Sequence, residues 1–172
     1  MQGQKFDSMK LASGAVFAVV MGALFLGSPT QAGETERTGR YINSKPETTY
    51  LVVGDVKGHV VGSFKLTSIS ISPDEGEVPR YTSGNFDYTN GVGSLWGYTT
   101  AIYKDKSTLT VQWQGEKKRN EKNEFYTKGT LTCVAGTGRL EGAKCEGTWE
   151  STKYLGNGMI LGGFKYKLTL PD

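Results

Sequence analysis

"CVAGTGRLEGAKC", residues 133–145, sets glycines at 136, 138 and 142 and Arg139 between two cysteines. Its reading decides the fold. A phosphate-cradling loop needs a strand before it and a helix after it, with the helix N-terminus facing the phosphates. The upstream half fits, because "YTKGTLTCVA" (126–135) has the composition of a strand. The downstream half does not. "RLEGAKCEGTWES" (139–151) holds two glycines, Gly142 and Gly147, and runs into strand-rich sequence, with room for about one helical turn at most. The spacing also departs from G-x-G-x-x-G, and no Gly-Lys-Ser/Thr follows. The segment reads as a linker between two strands.

Outward from this linker the chain is all-β. Its 24 glycines and nine tyrosines point to strands and tight turns, and no long helical pattern follows Ala32. "TLTVQWQ" (108–114) sets Leu109, Val111 and Trp113 on one face and Thr110, Gln112 and Gln114 on the other. "FKYKLTL" (164–170) repeats that period of two, the mark of a half-buried strand. Asn90-Gly91 and Asn157-Gly158 predict two-residue hairpin turns; "KDKS" (104–107) and the charged "GEKKRNEKN" (115–123) predict two more. Eight strands result, over about 48–54, 58–66, 78–88, 94–103, 107–115, 123–134, 144–154 and 159–170. Short connections make sequence neighbours antiparallel. The predicted fold is an eight-stranded antiparallel up-and-down barrel over residues 47–172, with a two-sheet sandwich as the alternative. Polar residues 33–46 are expected to be a flexible lead-in.

The N-terminus reads as a leader. Lys10 precedes an uncharged apolar run, "LASGAVFAVVMGALFLG" (11–27), followed by Pro29 and a small-residue exit at Thr30 and Ala32. A basic flank, apolar core and small residues before the cut define a secretory signal peptide over residues 1–32, with a membrane anchor as the alternative. The run is about 17 residues, short for the roughly 20 that span a bilayer. Cleavage near Ala32 would place the mature chain in the periplasm or outside the cell, in contact with membrane only during export. There, Cys133 and Cys145 are expected to form a disulfide, two buried thiols being the alternative. Net charge is +3, of which Lys5, Lys10 and Asp7 contribute +1, and the basic residues are scattered. The densest run, "EKKRNEK" (116–122), carries acids as well and reads as a solvated loop. Nucleic acid is not an expected partner.

"AGTGRLEGAKCEGTW" (135–149) resembles the "GGTGxFxGaxGxG" segment of the allene oxide cyclase and dirigent-like barrels and their bacterial relatives. There it links two late strands of the barrel. "GHVVGSF" (58–64), "GEVPRY" (76–81) and "GVGSLWGYTTAIYKDKSTLTVQWQG" (91–115) fall in the order of the bacterial set, so the likeness spans roughly residues 50–170. It implies an exported barrel of that kind. The sequence departs at Cys145, where the pattern holds a glycine or small residue; with Cys133 this suggests a staple on the linker. The enzymes of the group are implied to act mainly through an apolar cavity that fixes substrate shape. None of their catalytic residues is matched here position by position.

A barrel of about eight strands is either plugged by side chains or holds one small ligand. Trp96, Tyr98, Trp113, Phe125 and Tyr166 are the aromatics expected to bind it, with structural core as their other role. His59 is the only histidine, so no multi-histidine metal site exists, and paired cysteines leave no zinc site; neither metal nor cofactor is expected. No G-x-S-x-G elbow is present. If there is catalysis, His59 and Tyr98 are its first candidates; otherwise His59 is a strand-start residue hydrogen-bonded near Asp55. Asp74, Glu75 and Glu77 read as a solvated turn rather than a calcium loop, and Arg139 and Glu141 are expected to pair across the linker or to cap backbone groups there. The expected function is binding of a small hydrophobic or amphipathic molecule inside an exported barrel. The alternatives are an envelope or extracellular structural or interaction protein, homo-oligomers included, and a cyclase or isomerase with Tyr98, Glu150 or His59 turned inward.

Overall fold

The computed structural model describes residues 33–171; the predicted leader lies outside them. Nine strands follow in order: β1 (Glu34–Asn43), β2 (Glu47–Val52), β3 (His59–Ser72), β4 (Gly76–Thr89), β5 (Val92–Ile102), β6 (Thr108–Arg119), β7 (Phe125–Thr137), β8 (Lys144–Tyr154) and β9 (Ile160–Thr169). A single 3-10 turn, Gly138–Leu140, interrupts the series. From β3 to β9 each strand pairs antiparallel with the next. β1 then pairs with β9 along its whole length and with β3 at Ser68–Ile71, closing an eight-stranded antiparallel barrel.

The closing strand is β1, which lies in the segment expected to be a lead-in. "ETERTGRYIN" carries no apolar side chain before Tyr41, so its period of two is invisible to a hydrophobic reading. Hydrogen bonding to β9 and β3, the Arg37–Asp74 ion pair at 2.9 Å, and the buried Tyr41 hold it in place. The more apolar "ETTYLV" of β2 pairs only with the β3 segment Val60–Lys65, and all six of its residues are exposed. It is the ninth strand, outside the closure.

Turn chemistry sets the corners. Asn90 (φ 53°) and Gly91 (φ 81°) both take the left-handed conformation that a two-residue hairpin demands. The turn before β9 is different, because only Gly158 (φ 85°) is left-handed and the loop closes between Leu155 and Met159. Asn157-Gly158 is therefore not a two-residue turn. The run 116–122 is not a loop throughout, since β6 continues to Arg119 and the reversal falls at Asn120–Asn123.

One end of the barrel is plugged. The linker after β7 folds inward at the 3-10 turn, and Leu140, 1% exposed, packs with Leu109, Ala143, Cys145 and Leu168. Complete burial of one leucine contributes about 1.5–3 kcal/mol. Cys133 and Cys145 are joined in a disulfide, Cα atoms 4.8 Å apart, one residue beyond the last β7–β8 ladder pair, Thr132–Glu146. Outside, Arg139 bonds Glu75 at 2.7 Å and Asp105 at 2.8 Å rather than Glu141.

Candidate ligand-binding chamber

Strand alternation decides what the barrel encloses. Side chains of Leu66, Phe86, Leu95, Val111, Trp113 and Leu131 point inward and are buried. They do not fill the space above the plug. A chamber of about 250 Å³ remains, running from Arg80 and Thr99 at mid-barrel to Asn43, Pro46 and Thr48 at the opposite end. That end, where β6 and β7 and also β8 and β9 reverse, is the mouth.

Aromatic rings form much of the wall. Trp113 packs edge-on to Trp149 at 5.5 Å between centroids and lies 6.1 Å from Phe64. Its indole N–H donates to Thr99 Oγ1 at 3.0 Å, and Thr99 shares a 2.8 Å bond with Thr82, so the polar atoms of this wall are satisfied. The Tyr41 hydroxyl donates to the Glu150 carbonyl at 2.7 Å and lies 2.9 Å from Ser151 Oγ. Burial pushes the Tyr41 phenol up to about 12, and raises Tyr88 and Tyr154 as well. These phenols stay protonated and offer hydrogen bonds rather than charge.

Two cations also face the chamber. The Arg80 guanidinium sits at its floor, 5.5 Å from the Tyr41 ring centroid and 5.4 Å from that of Phe164. The Lys117 ammonium stands at the mouth over Phe125 (4.4 Å), Tyr88 and Tyr154 (both 5.3 Å). Desolvation lowers the pKa of both, with a further push on Lys117 from Arg119. Withdrawing an ion from water costs several kcal/mol, and an aromatic face returns about 0.5–2 kcal/mol. Among the described residues no aspartate, glutamate or histidine lines the chamber. It presents shape, donors and positive charge, and no carboxylate or imidazole base.

The residues singled out in the sequence distribute as follows. Trp113 is in the wall. Phe125 is at the mouth beneath Lys117 and Arg119. Tyr166 stacks on Phe164 at 5.6 Å and, with Arg80 and Tyr103, borders a void of about 40 Å³ under the floor. Trp96 (44% exposed) and Tyr98 (50%) lie on the outer face of β5, where Trp96 edges a broad external furrow with Gln114, Glu116 and Lys128. A molecule held inside would meet neither. His59 sits on the outer rim of the mouth, Nδ1 2.6 Å from Asp55 and Nε2 2.9 Å from Asp87; these two hydrogen bonds raise its pKa. Glu150 also faces out; only its carbonyl oxygen reaches a chamber residue.

Arg80, Lys117, Tyr41 and Tyr88 were not anticipated as site residues. A signal was available. In "VPRYTSGNF" (78–86) the inward set Val78, Thr82, Gly84 and Phe86 has Arg80 in phase, and Lys117 is in phase with Trp113 and Gly115. Alternation carried past the apolar residues would have placed both cations inside.

No protein-family model matches the chain, and no curated protein matches it. Among solved structures it is similar to the pterocarpan synthase dirigent protein PsPTS1, with a TM-score of 0.53 and 11% identity over 81% of this chain and 97% of that one. The pterocarpan synthase dirigent protein GePTS1 gives a TM-score of 0.46 and 16% identity over 84% and 96% of the two chains. The first likeness makes the fold a dirigent-like barrel.

Proposed function

We propose that this chain is an exported dirigent-like barrel protein that binds a small hydrophobic or amphipathic molecule in its interior. The observation that carries the reading is the unfilled chamber, aromatic-walled and open at one end. Its volume of about 250 Å³ lies just under the range of about 300–1,000 Å³ of drug-sized pockets, which suits a ligand of one or two rings. Export is supported by the Cys133–Cys145 disulfide, a bond that persists in oxidising compartments, together with the leader-like N-terminus. The mature chain would then act in the periplasm or outside the cell.

Two measurements test this. Denaturing the purified protein and analysing the extract by mass spectrometry should release a stoichiometric small molecule. Calorimetry with 2-naphthamide, a neutral two-ring compound, should show one saturable site that is lost when Trp113→Ala and Trp149→Ala remove the wall. An extract without such a molecule, combined with no naphthamide binding, overturns the reading.

A further inference from the structure

None of Arg37, Lys118, Arg139, Lys165 and Lys167 lines the chamber, and each meets a carboxylate within 2.9 Å. The two cations of the chamber meet none. Nothing acidic perturbs Arg80 or Lys117; their charged or ionisable neighbours are tyrosines in the first case and Arg119 in the second. A guanidinium carries five N–H donors, yet no hydrogen bond from Arg80 to the described residues exists; it rests on two aromatic faces alone. Ser68 is its register partner on β3, likewise turned inward and 7% exposed, and its hydroxyl is buried without a partner. The Arg80 donors thus face the chamber with no carboxylate to receive them, and the Ser68 hydroxyl across the β3–β4 ladder is unpartnered as well.

We propose that the chamber takes an organic anion, an aromatic or apolar carboxylate, with its head group on Arg80 and its ring against Phe64, Trp113 and Trp149. The inference rests on the chamber being a binding site. A planar guanidinium matches a carboxylate through two parallel N–H···O bonds. Lys117, one of two cations at the mouth with Arg119, draws the anion in. A cationic ligand would face like charge at both ends of the space, and a compact inorganic anion would leave the aromatic wall unused.

The test compares 2-naphthoate with 2-naphthamide, and with acetate as the head group alone, by calorimetry on the purified protein at neutral pH. Naphthoate is expected to bind at least about tenfold tighter than naphthamide, equivalent to roughly 1.4 kcal/mol or more, with acetate weaker than both. Arg80→Met should erase that preference, so that the variant binds naphthoate no tighter than naphthamide. Lys117→Gln should weaken naphthoate several-fold and flatten its salt dependence. Equal binding of naphthoate and naphthamide overturns the anion while the chamber stands; binding of neither overturns the anion too, and together with an extract that holds no small molecule it removes both readings. A preference that survives Arg80→Met places the head group elsewhere and overturns the assignment. Circular dichroism checks the fold of the variant, and should it fail to fold, the wild-type comparison decides.

Discussion

A methyl group at position 84 has nowhere to go. An ideal Cβ on Gly84 would lie 2.7 Å from both the Phe64 and Trp113 rings, which cover this inward-facing strand position. Gly84→Ala should therefore destabilise the protein by about 1–3 kcal/mol, the range for overpacking a filled site, measured as a lower urea midpoint at unchanged slope. Gly156, with nothing within 4 Å of its Cβ position, is the control. Charge is equally local at His59. Its hydrogen bonds to Asp55 and then Asp87 raise its pKa, so their stabilisation is complete below the unfolded value of about 6.5 and fades as pH climbs through the raised folded value. The melting temperatures of wild type and His59→Gln should thus differ most in mild acid and converge at higher pH. A difference that grew with pH would contradict the pairing.

At the scale of elements, the linker that resembles a phosphate loop is the floor of a vessel. Its glycines release the chain from the β7–β8 ladder, Leu140 fills the barrel end, and the disulfide closes the excursion at a sequence separation of 12. A crosslink of that span contributes about 3 kcal/mol if it acts by restricting the unfolded chain. The Cys133→Ala, Cys145→Ala double variant should unfold at lower denaturant by that order while keeping its far-ultraviolet dichroism. Strands β3 to β9 were legible because their alternation is written in Leu, Val, Phe and Trp. β1 was not, because its place depends on hydrogen bonds to β9 and β3, partners far away in sequence, and on a tyrosine rather than an apolar stripe. β2 shows the converse, an apolar strand left outside because β1 has taken the closing position on β3.

For the whole molecule, the barrel could be read from strand count and turn spacing, whereas the inside of the barrel could not be read from residue size. "SLWGYTT" (94–100) puts its largest side chains, Trp96 and Tyr98, in one phase, yet that phase faces outward. The inward phase holds Leu95, Gly97 and Thr99, because the Trp113 ring of the neighbouring strand lies over Gly97 and bonds Thr99. Which strand supplies bulk at a given level is settled between strands. Arg80 and Lys117 went unremarked for a related reason: charged residues on a strand are ordinarily assigned to solvent.

The plug around Leu140 closes one end of the barrel, and the chamber reaches the other. Exchange of a ligand through the mouth would be single-file. A bound molecule would have to depart before a successor could enter, so displacement would proceed at the departure rate of the first molecule, whatever the abundance of the second.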